Sequence, residues 1–190
     1  MNRGGSFRAL AILVTVFGMG SAVHASAQDS PRAEIGVGYQ FFRVEGESFK
    51  LGFNADVAVP VNGPRSVIGE FSWTRRSGTV DEDESVDFSE SATGFGGGVR
   101  YNHALDDMRT VYGQAVVGIQ RTGGTITVDA FDFEDSESSS DFMLGLDGGV
   151  QFRINEMLNG FGQVGIRRVF FEGEGSTGVR IVAGIRVDIM

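Results

Sequence analysis

The sequence predicts an all-β protein: an eight-stranded antiparallel up-and-down transmembrane β-barrel. Three observations point there. Apolar and polar residues alternate along eight separate stretches, the period-two signature of a strand with two unlike faces. The stretches are close to the 9–11 residues that a tilted strand needs to cross a hydrocarbon core. Short connections alternate with longer acidic ones, the asymmetry of an even-numbered membrane barrel.

The first segment stands apart from this pattern. Residues 1–8 carry Arg3 and Arg8 and no acid, residues 9–17 are apolar except for Thr15, and Ala25-Ser26-Ala27 is a small-x-small cleavage pattern. That arrangement is a signal peptide, and its apolar run is too short to span a bilayer as a helix. The expected division is therefore a signal peptide over 1–27 and a barrel domain over 28–190.

The strands are expected at 33–43, 49–59, 66–75, 92–102, 110–120, 141–153, 160–170 and 179–189. The second shows the alternation most plainly: Phe49, Leu51, Phe53, Ala55 and Val57 on one face, Lys50, Gly52, Asn54 and Asp56 on the other. The last repeats it, with Val179, Ile181, Ala183, Ile185, Val187 and Ile189 opposite Arg180, Val182, Gly184, Arg186 and Asp188. Asn62-Gly63-Pro64, 102–108 and 154–159 are short connections, whereas 77–91 and 122–140 read as long, solvated acidic loops. The shorter hairpins at Glu45-Gly46-Glu47 and Glu172-Gly173-Glu174-Gly175 are acidic too. An internal echo supports a repeating hairpin unit. Gly97-Gly98-Val99-Arg100-Tyr101, followed by Tyr112-Gly113-Gln114, returns as Gly148-Gly149-Val150-Gln151-Phe152, followed by Phe161-Gly162-Gln163.

Alternation alone leaves open which face points outward. Glycine and charge gather on one face, as at Gly94, Gly96, Gly98 and Arg100, and small residues suit a crowded narrow lumen. Aromatics gather on the other towards the strand ends, at Tyr39, Phe41, Phe49, Trp73, Tyr101, Phe142, Phe152 and Phe170. Amphipathic rings at two heights match the girdles of membrane interfaces. The apolar face is thus expected to meet lipid. In this architecture the chain resembles the small outer-membrane barrels typified by outer-membrane protein X and the transmembrane domain of outer-membrane protein A. The resemblance covers the whole mature chain and rests on pattern. It implies a bacterial outer-membrane location with both termini periplasmic. The outward series finishes on Ile189, ahead of Met190, where such barrels carry a terminal aromatic.

Composition excludes several functions. Of 190 residues, 25 are acidic and 16 basic, a net charge of −9, and no cysteine is present. An acidic chain without a basic patch does not suit nucleic acid. The absence of cysteine removes thiolate chemistry and soft-metal sites. His103, the one histidine outside the signal peptide, falls in a predicted turn, so no catalytic site and no cofactor are expected. The lumen is expected to hold a charge network of Lys50, Asp56, Glu70, Arg100, Asp147, Arg153, Arg167, Arg180, Arg186 and Asp188, mutually compensated because buried charges persist only when paired. Outward parity along the ascending strands also places Arg43, Arg75, Arg121 and Arg168 near the outer interface. There an arginine can rest its stem on apolar residues and offer a bidentate fork to phosphate. These four form a candidate belt for outer-leaflet lipid, including lipopolysaccharide with bridging divalent cations.

The expected function is that of a non-enzymatic, monomeric barrel with a side-chain-filled lumen, structural or acting at the surface through its acidic loops. Two alternatives stay open: a small ion or solute channel, and a soluble periplasmic barrel binding an apolar ligand.

Overall fold

The computed structural model describes residues 33–82, 84–128, 133–171 and 174–189, so the expected signal peptide lies outside the described residues. Nine strands make one sheet: β1 (Ala33–Val44), β2 (Glu47–Phe49), β3 (Leu51–Asn62), β4 (Arg65–Glu82), β5 (Glu84–Ala104), β6 (Arg109–Val128), β7 (Phe133–Arg153), β8 (Leu158–Phe170) and β9 (Gly175–Ile189). Every neighbouring pair is antiparallel. β2 and β3 lie end to end against β1, so they act as one stave and the barrel has eight. β1 closes the ring against β9, in register from Ala33 opposite Ile189 to Val44 opposite Gly178. Closure leaves no free edge along the barrel wall, which strands in lipid require.

Inside and outside follow parity. On β9, Arg180, Val182 and Arg186 are buried while Val179, Ile181, Ile185 and Val187 are exposed. The exterior is apolar over its whole middle, and aromatics stack across it: Phe53 with Phe71 and Trp73 at 5.4 and 5.9 Å, and Phe71 with Phe95 at 4.9 Å between centroids.

One end of the barrel carries the three short turns and both described chain ends. Its two longer turns are built alike. Asp106 Oδ1 accepts from the Met108 and Arg109 amides at 3.0 and 2.8 Å, and Asn155 Oδ1 accepts from Met157 and Leu158, both at 2.9 Å. The internal echo thus continues into the turns. At the opposite end, the hairpin between β1 and β2 has φ of 51° at Glu45 and 92° at Gly46, the two left-handed residues of a type I′ turn.

Two expectations need correction. The described residues of the acidic stretches 77–91 and 122–140 are strand, not loop. β4 to β7 run for 18, 21, 20 and 21 residues, and their ladders continue through these stretches to Glu82 opposite Glu84 and Val128 opposite Phe133. Backbone pairing along these ladders, with β-branched residues such as Thr122 and Thr125 that favour extended backbone, sustains the strands here. The second stave also breaks at Lys50, which belongs to no strand, and parity slips there. Phe49 turns inward against Phe42, with centroids 6.0 Å apart, and Lys50 is exposed.

Candidate functional site

The interior is held by two sets of four charges, each electrically balanced. The first joins Glu70 on β4, Asp147 on β7, Arg167 on β8 and Arg180 on β9. Arg180 grips both carboxylates: its two terminal nitrogens donate to Glu70 at 2.9 and 2.7 Å, and Nε and Nη2 donate to Asp147 at 2.7 and 2.9 Å. Arg167 Nη2 donates to Glu70 at 2.5 Å and lies 3.5 Å from Asp147. All four side chains are at most 3 % exposed. Such bidentate, charge-assisted contacts are what make buried ions tolerable.

Glycines make room for this set. A Cβ at Gly145 would overlap the Arg167 guanidinium, and one at Gly165 would overlap the Asp147 carboxylate.

The second set lies nearer the short turns and joins Glu34 on β1, Asp56 on β3, Arg100 on β5 and Arg186 on β9. Asp56 accepts from Arg100 at 2.9 Å and from Arg186 at 3.3 Å, while Glu34 lies 3.6 Å from Arg100. Aromatic faces cover the guanidinium groups. Arg186 sits 4.1 Å from the Phe161 centroid and 4.6 Å from that of Tyr112, and Arg100 sits 4.9 Å from Tyr112. Gln114 bridges the two sets, accepting from Arg100 Nε at 2.9 Å and donating to Asp147 at 3.1 Å.

The structure therefore brings together Asp56, Glu70, Arg100, Asp147, Arg167, Arg180 and Arg186. It leaves out three residues expected with them. Lys50 is exposed because of the slip at the strand break, and Arg153 is exposed because it ends β7 at the barrel mouth, where water reaches it. Asp188 faces inward opposite Glu34 of the second set, but its hydrogen bond comes from Asn159, at 3.1 Å, and it forms no ion pair with either set. Residues missed from sequence are Glu34 and the neutral connectors Gln40, Gln114, Tyr112 and Gln163, the last accepting from Tyr112 at 2.8 Å. They share the inward parity, and following parity through every polar residue rather than through charges alone would have found them.

The four belt candidates all project from the outer wall and are exposed. Arg75 Nε donates to Ser89 at 3.0 Å and Arg121 Nη2 to Ser138 at 3.4 Å, and the two line one external groove with Trp73, Ser91 and Gly123. Arg168 lies 5.4 Å from the Phe170 centroid. Arg43 makes up the fourth, between Ser48 and Val179 in the register. Among the described residues there is no cluster of three or more acidic or histidine side chains able to hold a metal ion.

Known proteins share this architecture. Ail, the attachment invasion locus protein of Yersinia pestis, solved in complex with the heparin analogue sucrose octasulfate, superposes with a TM-score of 0.54 at 19 % identity, over 81 % of this chain and 96 % of that one. Neisserial surface protein A gives 0.53 at 11 % identity over 83 % and 96 %, and the Escherichia coli outer membrane protease OmpT gives 0.54 at 7 % over 90 % and 100 %. At these identities the likeness is one of fold. No curated protein sequence matches the chain significantly. The sequence profile of the outer membrane protein beta-barrel domain matches residues 10–186, nearly the whole length. The chain belongs to that family, and is a β-barrel of the bacterial outer membrane.

Proposed function

We propose that this is a non-enzymatic barrel whose interior is closed by the charge network and whose work is done at the cell surface. One observation carries the reading. β4 to β7 continue past their neighbours as a four-stranded ribbon. Pairing of β3 with β4 stops at Arg75, and pairing of β7 with β8 stops at Phe142. Among the described residues, no ladder covers the outer sides of 76–82 and 133–141. The ribbon thus offers two free strand edges, and 133–141 carries Glu134, Asp135, Glu137 and Asp141. Open edges recruit an added strand, and acids choose a basic one. The short turns and both chain ends then lie in the periplasm, with the ribbon outside the cell.

The test uses the protein in neutral phosphatidylcholine nanodiscs and an alternating lysine–valine peptide followed by fluorescence anisotropy. Binding should be salt-sensitive. It should fall at least about ten-fold when 78–88 and 125–138 are each replaced by a tight Asn-Gly turn. Equal binding by the trimmed barrel refutes the reading. For the interior, planar bilayers should show no steady open conductance; a stable conducting state would instead make the protein a channel.

A second reading rests on the outward arginines. Arg43, Arg75, Arg121 and Arg168 form a belt that holds lipopolysaccharide phosphates, with divalent cations bridging neighbouring lipid anions. Replacing all four by glutamine should lower glycolipid co-purification and stability in lipopolysaccharide more than stability in phospholipid. Equal losses in both lipids, or none, remove the belt.

A further inference from the structure

On the outer wall, at the short-turn end, β4 to β7 carry an apolar groove of about 870 Å³. Gly113 and Gly148 form its floor, Val99, Tyr101 and Leu146 rise beside them, and Arg65 stands at its end. Four of these residues make a single register row: Arg65 opposite Tyr101, Tyr101 opposite Gly113, and Gly113 opposite Gly148. Arg65 opens β4, Tyr101 lies three residues before the end of β5, Gly113 four after the start of β6, and Gly148 five before the end of β7. The row therefore starts at the rim and slants into the hydrocarbon layer. It spans three interstrand spacings, about 14 Å, against roughly 15 Å for the hydrocarbon of one leaflet.

Packing among the described residues does not account for the two glycines of the floor. Inward glycines leave no room for a side chain: a Cβ at Gly98 or Gly118 would overlap the carbonyl oxygen of Ala115 or Phe95. At Gly113 and Gly148 a Cβ would meet nothing nearer than 4.0 Å. Side chains there would favour the strands and add apolar cover in lipid, so their lack leaves a trough that only the membrane can fill. Arg65, at its end, is exposed, and the ion pairs among the described residues belong to Arg76, Arg100, Arg109, Arg167, Arg180 and Arg186. A guanidinium at the edge of hydrocarbon is stable where its stem lies on apolar wall and its head meets an anion at headgroup depth.

Charge and shape together choose the occupant. An apolar trough that descends from one uncompensated cation matches a lipid with an acyl chain on the wall and one negative charge at the headgroup. We propose that the groove seats a single phospholipid of net negative charge. Its acyl chain lies along the row over Gly113 and Gly148, and its phosphate meets Arg65, with the Tyr101 hydroxyl alongside as a second donor. The leaflet follows from the orientation proposed above: with the short turns in the periplasm, this lipid belongs to the periplasmic side. The seat itself requires only that the outer wall meets lipid. It lies at the other end of the wall from Arg43, Arg75, Arg121 and Arg168, and is separate from the free edges of the ribbon.

The experiment places the whole barrel in phosphatidylcholine nanodiscs with a trace of phosphatidylglycerol that carries a nitroxide midway along one chain. Broadening of the Val99 methyl signals, in the groove, is read by NMR against that of Ile185, which is also exposed but four staves away round the ring. Phosphatidylcholine with the same nitroxide, at the same fraction, is the matched comparison. The labelled phosphatidylglycerol should broaden Val99 about five-fold more than the labelled phosphatidylcholine, the scale of one basic residue against anionic lipid, and the two should broaden Ile185 alike. Arg65→Gln should remove the difference at Val99. Gly148→Leu should remove it too, with the urea midpoint unchanged or higher, because the new side chain fills only space outside the barrel. Equal broadening of Val99 by the two lipids in the unmodified protein overturns the proposal, as does a preference that survives either substitution. Val99 screened from both lipids would put a second copy of the barrel in the groove and overturn it as well. Should Gly148→Leu fail to fold, the two lipids and Arg65→Gln still decide. The discs carry the same lipids on both sides, so the outcome does not depend on which way the barrel faces.

Discussion

Replacing Glu70 by glutamine and Arg167 by methionine, singly and then together, tests whether the interior charges act as one set. Glu70 accepts from Arg167 at 2.5 Å and from Arg180 at 2.9 and 2.7 Å, and its side chain is 2 % exposed. Glu70→Gln leaves two arginines to share Asp147, one positive charge too many. Arg167→Met leaves two carboxylates to share Arg180, one negative charge too many. Removing one partner of a dry buried pair costs on the order of 3–5 kcal/mol, and each single variant should fall in or just below that range. The double variant keeps Asp147 on Arg180 through two hydrogen bonds and is again balanced. Its cost should therefore undercut the sum of the singles by about 1–3 kcal/mol, the coupling of contacting charges. Urea unfolding from lipid vesicles supplies the measurement, with the single tryptophan, Trp73 on the outer wall, as the reporter. Additivity within about 0.5 kcal/mol, or singles costing under about 1 kcal/mol, would show that water already solvates these groups and would refute the argument from burial.

Three further outcomes are expected. Leu146→Arg, at an exposed mid-barrel position, should destabilise by about 2–4 kcal/mol in bilayers, because its charge sits in hydrocarbon; an unchanged urea midpoint would mean that this face does not meet lipid. Gly145→Val should block folding into vesicles or cost several kcal/mol, on the order of a large core disruption, because its side chain would occupy the place of the Arg167 guanidinium; native-like stability would show the guanidinium free to move elsewhere. In the turn before β6, the Arg109 guanidinium and the Met108 and Arg109 amides hold the Asp106 carboxyl below the usual carboxylate range. A lowered folded-state value means the turn's contribution is present above the unfolded carboxylate's range and fades as pH falls through the folded one. Asp106→Asn should keep both amide bonds, as Asn155 does in the matching turn, and abolish that acid dependence in amide exchange; an unaltered pH profile would place the titration elsewhere.

Much of this architecture was legible in the residues. Strict alternation located all eight staves and set their faces, because a strand between lipid and a polar interior must change character at every residue. The same rule placed Asp56, Glu70, Arg100, Asp147, Arg167, Arg180 and Arg186 inside. It failed where parity itself slips: nothing in Phe49-Lys50-Leu51 marks the break, since only the closed barrel shows Phe42 waiting for Phe49. It failed again at 77–91 and 122–140, where acids resemble a solvated loop and the stabilising element is a ladder between backbones. The partners of each charge were also hidden, because contacts such as Arg180 to Glu70 span 110 residues and depend on barrel shear.

The pairing of the interior charges also sets an order of events. Before β9 joins, the inward acids Glu34, Asp56, Glu70 and Asp147 face only Arg100 and Arg167. β9 brings Arg180 and Arg186, which contact three of those four acids, together with Asp188, whose carboxylate accepts from Asn159. A barrel lacking β9 would be electrically lopsided inside, and the stave between β8 and β1 lessens the imbalance. Because β9 closes the ring against β1, weakening these contacts should speed opening more than it slows folding. The interior network acts as a latch on the finished ring, and the lifetime of the closed state is its most direct readout.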